Sequence, residues 1–264
     1  MIKSSVDLPV PYRGSHWCGE SSLGNIAILG DSYSKPDLEE ESAVWVDHLL
    51  KDTSICVHNL AFPSVTVEDD LHYRDFSRVF PRNRRPTPMF PPSIRPNYLR
   101  FCTSRPFQYV QANRLVILVS YLGINDCGST SADVIVEALF GAVHDLYVKT
   151  GARNFVLVDV PPIDRSPGAL DSSDEMQDRV ETWNGLLGAR TSKFATSSPQ
   201  ATVFVFSSHN VLTDVLDDPL EYDFGENDPD DEGGAVWEDD LHLTPAVHAI
   251  LADRFLASLK AEDQ

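Results

Sequence analysis

Basic residues are scarce in this 264-residue chain: 21 Lys and Arg stand against 40 Asp and Glu, a formal net charge of −19. So acidic a surface repels phosphate backbones and anionic headgroups, so neither nucleic acid nor an anionic membrane is expected as a partner. Long apolar runs are absent as well. No stretch reaches the eighteen residues a transmembrane helix needs. Cysteine is limited to Cys18, Cys56, Cys102 and Cys127, with no Cys-x-x-Cys pair, which argues against zinc and thioredoxin-like sites. Four cysteines allow two disulfides, but buried thiols are the expectation. Cys56, inside a strand-like run, suits a small hydrophobe. No Asn-x-Ser/Thr sequon occurs, and Met1 to Gly14 lacks the apolar centre of a signal peptide. A cytoplasmic protein is expected, or a secreted one whose leader was removed.

What the chain does have is three short polar words. Gly30-Asp31-Ser32-Tyr33-Ser34 follows the apolar run Ile26–Leu29, Gly123-Ile124-Asn125-Asp126 follows another, and Asp239-Asp240-Leu241-His242 stands near the C-terminus. A serine hydroxyl is a poor nucleophile until a base takes its proton, and a carboxylate must hold that base in the right tautomer. Asp-x-x-His lets one turn of backbone carry both. Ser32 is therefore the candidate nucleophile, His242 the base and Asp239 its orienting carboxylate. Asn125 is the candidate side-chain donor to an oxyanion, and the Ser32 N–H is a second donor. Each word alone is a common turn; their joint order after strand-like runs is much more specific. His248 is the nearest rival base, but it falls well inside a predicted helix. Asp31 is read as making a turn or a buried hydrogen bond.

Five short apolar runs, Asn25–Leu29, Ser54–Asn59, Leu115–Tyr121, Asn154–Val160 and Thr202–Phe206, read as strands buried on both faces. Helical spacing fills Glu41–Leu50, Ala132–Lys149 and Met176–Phe194, and a last helix is predicted over Pro245–Leu259 with Thr244 as its cap. This alternation predicts an α/β protein, a three-layer α/β/α domain around a five-stranded parallel sheet. The site of such a sheet lies at the carboxyl ends of its strands, where Ser32, Ser64 and Asn125 all fall. Ser32 is expected to open the helix after the first strand, with helix N–H groups facing incoming negative charge.

Two segments interrupt the rhythm. Residues 74–114 hold nine of the 21 basic residues and seven prolines, and residues 217–240 hold twelve acids. Both are read as insertions at the rim of one domain spanning 1–264, the first as a lid or loop. Asp228, Asp230, Glu232, Gly233 and Asp239 have the spacing of a calcium loop. Asp in place of Glu at the last position and the lack of a preceding apolar helix favour a solvated acidic loop and no metal.

The order Gly-Asp-Ser, Gly-x-Asn-Asp, Asp-x-x-His resembles the SGNH, or GDSL-type, hydrolases. Gly151-Ala152-Arg153-Asn154-Phe155, Val160-Pro161-Pro162-Ile163-Asp164-Arg165-Ser166-Pro167, Trp183-Asn184 and Trp237 are similar to the fungal acetylesterases of carbohydrate esterase family sixteen. The resemblance covers roughly residues 25–68 and 115–260. It implies a flavodoxin-like fold and removal of acetyl groups from sugars through an acyl-serine, with no metal or organic cofactor. The expected partner is a small-molecule or oligosaccharide ester. Trp183 or Trp237 could stack on a sugar or pack in the core. A departure lies at Asn59-Leu60-Ala61-Phe62-Pro63-Ser64-Val65-Thr66, where the family has a glycine pair. Ser64 keeps the N–H that the second glycine gives to the oxyanion, provided it can adopt a glycine's backbone angles. A lipase or lysophospholipase of the same fold, and a catalytically weak binding protein on a hydrolase scaffold, are the alternatives.

Overall fold

The computed structural model describes residues 12, 14, 25–35, 42–51, 55–67, 116–128 and 131–261. The Arg- and Pro-rich segment 74–114, Cys18 and Cys102 fall outside the described residues.

The apolar runs become β1 (Asn25–Gly30), β2 (Cys56–Asn59), β3 (Val116–Tyr121), β4 (Asn154–Val158) and β5 (Thr202–Phe206). They form one parallel sheet in the order β2-β1-β3-β4-β5. Its central strands bury both faces: every residue of β4 is buried, as are Ile26 to Gly30 of β1. That is why these stretches read as unbroken apolar runs rather than as alternating ones. The helices are α1 (Trp45–Leu49), α2 (Ala132–Asp145), α3 (Ser173–Ser197), α4 (Ser208–Asp217) and α5 (Pro245–Ala261). α2 packs on α3, while α5 packs on α1 and α4. Phe155 stands beside Val203 in the sheet, so Phe206, three residues further along β5, points to the opposite face. The Phe155 ring meets Phe194 of α3 at 5.4 Å, and Phe206 meets Phe255 of α5 at 5.3 Å. The two helix groups therefore cover opposite faces, giving the three-layer α/β/α architecture.

Several boundaries move. α1 starts at Trp45, where the Asp47 carboxylate accepts the Val44 N–H. α2 runs on into a wider turn over Leu146–Thr150 and stops at Gly151, whose φ of 81° suits a residue without a Cβ. α4 has no counterpart among the sequence predictions; its start is marked by Ser207, whose side chain accepts the Asn210 N–H. No helix among the described residues is long and apolar enough to cross a membrane. Cys127 is a buried thiol, as expected, but Cys56, on β2 at one edge of the five-stranded sheet, is exposed, and its Sγ lies 3.6 Å from His58 Nε2.

The acidic stretch 217–240 folds as a short 3-10 turn, Pro219–Tyr222, followed by successive turns. Asp228 holds it together by accepting the N–H groups of Gly225, at 2.6 Å, and Ala235, at 3.5 Å. No group of three or more His, Cys, Asp and Glu side chains among the described residues is arranged as a metal site. The strand order reverses between β1 and β3, and the carboxyl ends of strands at such a reversal are where ligands of open α/β sheets bind.

Candidate active site

Ser32 stands just past the end of β1, in a turn rather than in a helix. The Ser34 and Lys35 N–H groups donate to the Asp31 carbonyl at 3.0 and 3.1 Å, and Lys35 also donates to Ser32 at 3.2 Å. The next described helix begins at Trp45, so no helix N-terminus is assigned to Ser32. Its neighbours fix the turn instead. Asp31 is fully buried and one carboxylate oxygen accepts the Tyr33 N–H at 3.1 Å. Burial pushes the Asp31 carboxyl up to about 7, against the pull of that N–H. Asn59, at the end of β2, donates to the Ser34 carbonyl at 2.8 Å and accepts from Ala61 at 3.0 Å. The turn carrying Ser32 and the loop carrying Ser64 are thereby stitched together.

The second loop runs along the end of β1, with Phe62 N–H donating to the Gly30 carbonyl at 3.0 Å. Ser64 on this loop has a φ of 57°, the left-handed conformation a glycine would take, and it is exposed. Ser64 thus meets the condition set by the resemblance, adopting backbone angles that a glycine would take. Asn125, past the end of β3, donates through Nδ2 to the Val65 carbonyl at 3.0 Å. Asp126 is buried, and both its carboxylate oxygens lie 3.1 Å from the Val67 nitrogen. Asn125 and Asp126 thus grip the Ser64 loop from below. Gly123, with φ of 129°, allows the Trp183 indole to lie where a Cβ would stand, 2.5 Å away.

The third word closes on itself. Asp239 accepts the Leu241 N–H at 2.7 Å and also the His242 N–H. An isolated bridge pairs Trp237 with Leu243, and Glu238 N–H donates to the His242 carbonyl at 2.8 Å. Within that small closure Asp239 Oδ2 lies 2.7 Å from His242 Nδ1, and His242 Nε2 lies 2.9 Å from Ser32 Oγ. Partial burial raises the Asp239 carboxyl. The His242 and Leu241 N–H groups and the imidazole outweigh that and hold it below its ordinary value. A carboxylate at Nδ1 selects the tautomer protonated there and leaves Nε2 to accept the serine proton. The arrangement can therefore remove a proton from Ser32.

Tyr33 connects this segment to the serine turn, its hydroxyl donating to the Leu241 carbonyl at 2.7 Å. Burial and the neighbouring Tyr121 push the Tyr33 phenol far above its ordinary range, so it stays a donor. Tyr33 and Asp126 stand inside two of the polar words and Asn59 opens the Asn59–Thr66 block, but nothing along the chain marks these hydrogen bonds. His248 is a core histidine, 5.8 Å from the Tyr33 ring, and burial pulls its imidazole down to about 3. Trp183 and Trp237 are both fully buried, so neither can stack on a sugar. Trp237 donates to the Pro229 carbonyl at 2.9 Å, and Asn184 pairs with both backbone groups of Val160 at 2.8 Å.

No family model matches the chain. An acetylesterase of Thermothelomyces thermophilus is 30% identical over 151 residues, which is 50% of this chain and 48% of that protein. The match thus spans about half the length of the curated relative. Among solved structures, a lipolytic protein of the G-D-S-L family from Veillonella parvula DSM 2008 superposes with a TM-score of 0.57 at 13% identity. It covers 88% of this chain and 96% of its own. A catalytic mutant of an acetylxylan esterase from Geobacillus stearothermophilus gives 0.53 at 14% identity, covering 89% and 94%. The chain has the fold of the GDSL-type hydrolases.

Proposed function

We propose that this protein is a serine esterase that cleaves short acyl esters, acetyl esters of carbohydrates above all. The observation that carries the reading is the continuous hydrogen-bonded line from Asp239 through His242 to Ser32, with steps of 2.7 and 2.9 Å. The acetylesterase relative and the acetylxylan esterase neighbour support the acetyl group and the sugar.

In this reading Ser32 Oγ attacks the acyl carbon while His242 Nε2 takes its proton. The carbonyl oxygen becomes an oxyanion met by the Ser32 N–H, the Ser64 N–H and the Asn125 amide. One Nδ2 hydrogen of Asn125 is used on Val65, and the other serves the substrate. The imidazolium, steadied by Asp239, returns its proton to the departing alcohol, leaving an acyl-Ser32. Water deprotonated by His242 then releases the acid. The left-handed Ser64 holds a glycine-like N–H direction, which favours a working enzyme over a weak binding scaffold.

A fluorophosphonate probe tests the assignment. Labelling is expected on Ser32, and Ser32→Ala is expected to abolish both labelling and acetate release from acetyl esters while the melting temperature is kept. Labelling on Ser34 or Ser64, or full activity in Ser32→Ala, overturns it.

A further inference from the structure

The hydrogen bonds within residues 239–242 fix acid against base, but they do not fix the pair against Ser32. That placement has to come from other segments, and two of them reach the consecutive carbonyls that precede His242. The Tyr33 hydroxyl donates to the Leu241 carbonyl at 2.7 Å. The Gly168 N–H donates to the Asp240 carbonyl at 2.8 Å. Both anchors are themselves held. Tyr33 is fully buried, its ring 6.0 Å from Tyr121 and 5.8 Å from His248, and a peptide bond joins it to Ser32. Gly168 lies in the turn Pro167–Ser172, which follows the turn Ile163–Arg165 packed on α3. A Cβ at Gly168 would stand 2.9 Å from the Asp240 carbonyl oxygen, so this close approach of two backbones requires a glycine.

We infer that Tyr33 and Gly168 are positioning residues that together hold the His242 imidazole within proton-transfer reach of Ser32. The inference rests on the esterase reading of Ser32 and says what keeps its base in place. A single attachment leaves the segment a hinge to swing about; two attachments from separate parts of the fold remove that freedom. Proton transfer needs donor and acceptor within about 2.6–3.2 Å. His242 Nε2 stands 2.9 Å from Ser32 Oγ. A misplacement of about 1 Å in such a contact can cost a hundredfold in rate. The arrangement also gives a role to the block 160–167. Asn184 of α3 pairs with both backbone groups of Val160, and the chain leads from there to Gly168.

The test titrates Ser32 with a fluorophosphonate and follows acetate release from an acetyl ester. Tyr33→Phe removes one hydroxyl and keeps the ring. It is expected to lower kcat about ten- to a hundredfold with KM within about twofold, and to slow labelling by the same factor. Every molecule should still take up the label in the end, because Ser32, His242 and Asp239 are all present. Gly168→Ala, which pushes the Asp240 carbonyl away, is expected to do the same. The double variant should lose less than the product of the two losses, since both act through one segment. Labelling of only a fraction of the molecules, with kcat per labelled site unchanged, is what a role in folding alone predicts, and it overturns the inference. Losses that multiply in the double variant overturn the joint action. Wild-type labelling on Ser32 with kcat unchanged in Tyr33→Phe sinks this inference but spares the esterase reading. Wild-type protein that neither labels nor releases acetate sinks both.

Discussion

Replacing Ser64 by glycine isolates what the left-handed loop costs and what it does. At φ of 57° the serine Cβ crowds the backbone, a strain of about 1–2 kcal/mol. Glycine removes that strain but loosens the unfolded chain, which takes back about 0.4–1 kcal/mol. Ser64→Gly is therefore expected to stabilise the fold by about 0.5–1 kcal/mol, a rise of roughly 1–4 °C in melting temperature at this chain length. Turnover should stay within about twofold. The backbone already has the glycine conformation, and Asn125 and Asp126 hold the loop at Val65 and Val67, so the N–H direction does not change. Calorimetry and initial rates on an acetyl ester measure the two effects separately. Ser64→Ala, which keeps the Cβ, should gain no stability. A drop in melting temperature in Ser64→Gly, or a tenfold gain in kcat, would refute the argument: the first denies the strain, the second shows an N–H off target.

Asn125→Ala should lower kcat by about a hundredfold or more in steady-state kinetics, with a smaller change in KM. It should also raise hydrogen exchange at residues 64–67, because Val65 loses its donor. The pH dependence of stability should carry the mark of Asp31. A buried acid whose carboxyl stands at about 7 binds its proton more tightly in the folded state. It therefore favours folding fully below the unfolded value near 3.9, and that contribution is lost as pH rises towards 7. Asp31→Asn, which keeps an acceptor for the Tyr33 N–H, should gain stability over wild type steadily between pH 4 and 7 and hold a constant margin above. Parallel melting curves across that range would contradict this.

The sheet was legible because five strands buried on both faces leave five apolar runs, and each lies within a residue or two of its predicted place. β4 was overrun to Val160 because Asp159-Val160-Pro161 still looks strand-like; the chain leaves the sheet there so that Asp159 can accept the Ser207 and Ser208 hydroxyls. α4 was invisible because its start depends on that same tertiary contact and on the Ser207 cap. Ser32, Asn125, Asp239 and His242 were legible as candidates because a nucleophile, a base, its carboxylate and an oxyanion donor call for those side-chain types, and the geometry lines up Asp239, His242 and Ser32. The geometry at Ser64 was not, since a sequence shows a missing glycine but not whether the loop yields or keeps its angle. Tyr33, Asn59 and Asp126 act through hydrogen bonds to main-chain groups of other segments, and such contacts leave no pattern along the chain. The tryptophans mislead for a related reason: an indole in a family motif fits a sugar platform or a core, and only burial decides.

The bridge between Trp237 and Leu243 has a consequence for how the site is assembled. Acid and base lie three residues apart inside a loop that closes through its own backbone, so their pairing requires almost no search. The one distant closure is the 210-residue separation between Ser32 and His242. Chain entropy for a closure grows only logarithmically with length, and here it is met once rather than twice. The proposed triad is in this sense two parts, a serine on the turn after β1 and a preassembled Asp239–His242 pair that docks against it through Tyr33. Heat or denaturant that releases the segment ahead of α5 would remove the carrier whole. Loss of activity would then report one undocking event, well before three separate side chains had drifted apart.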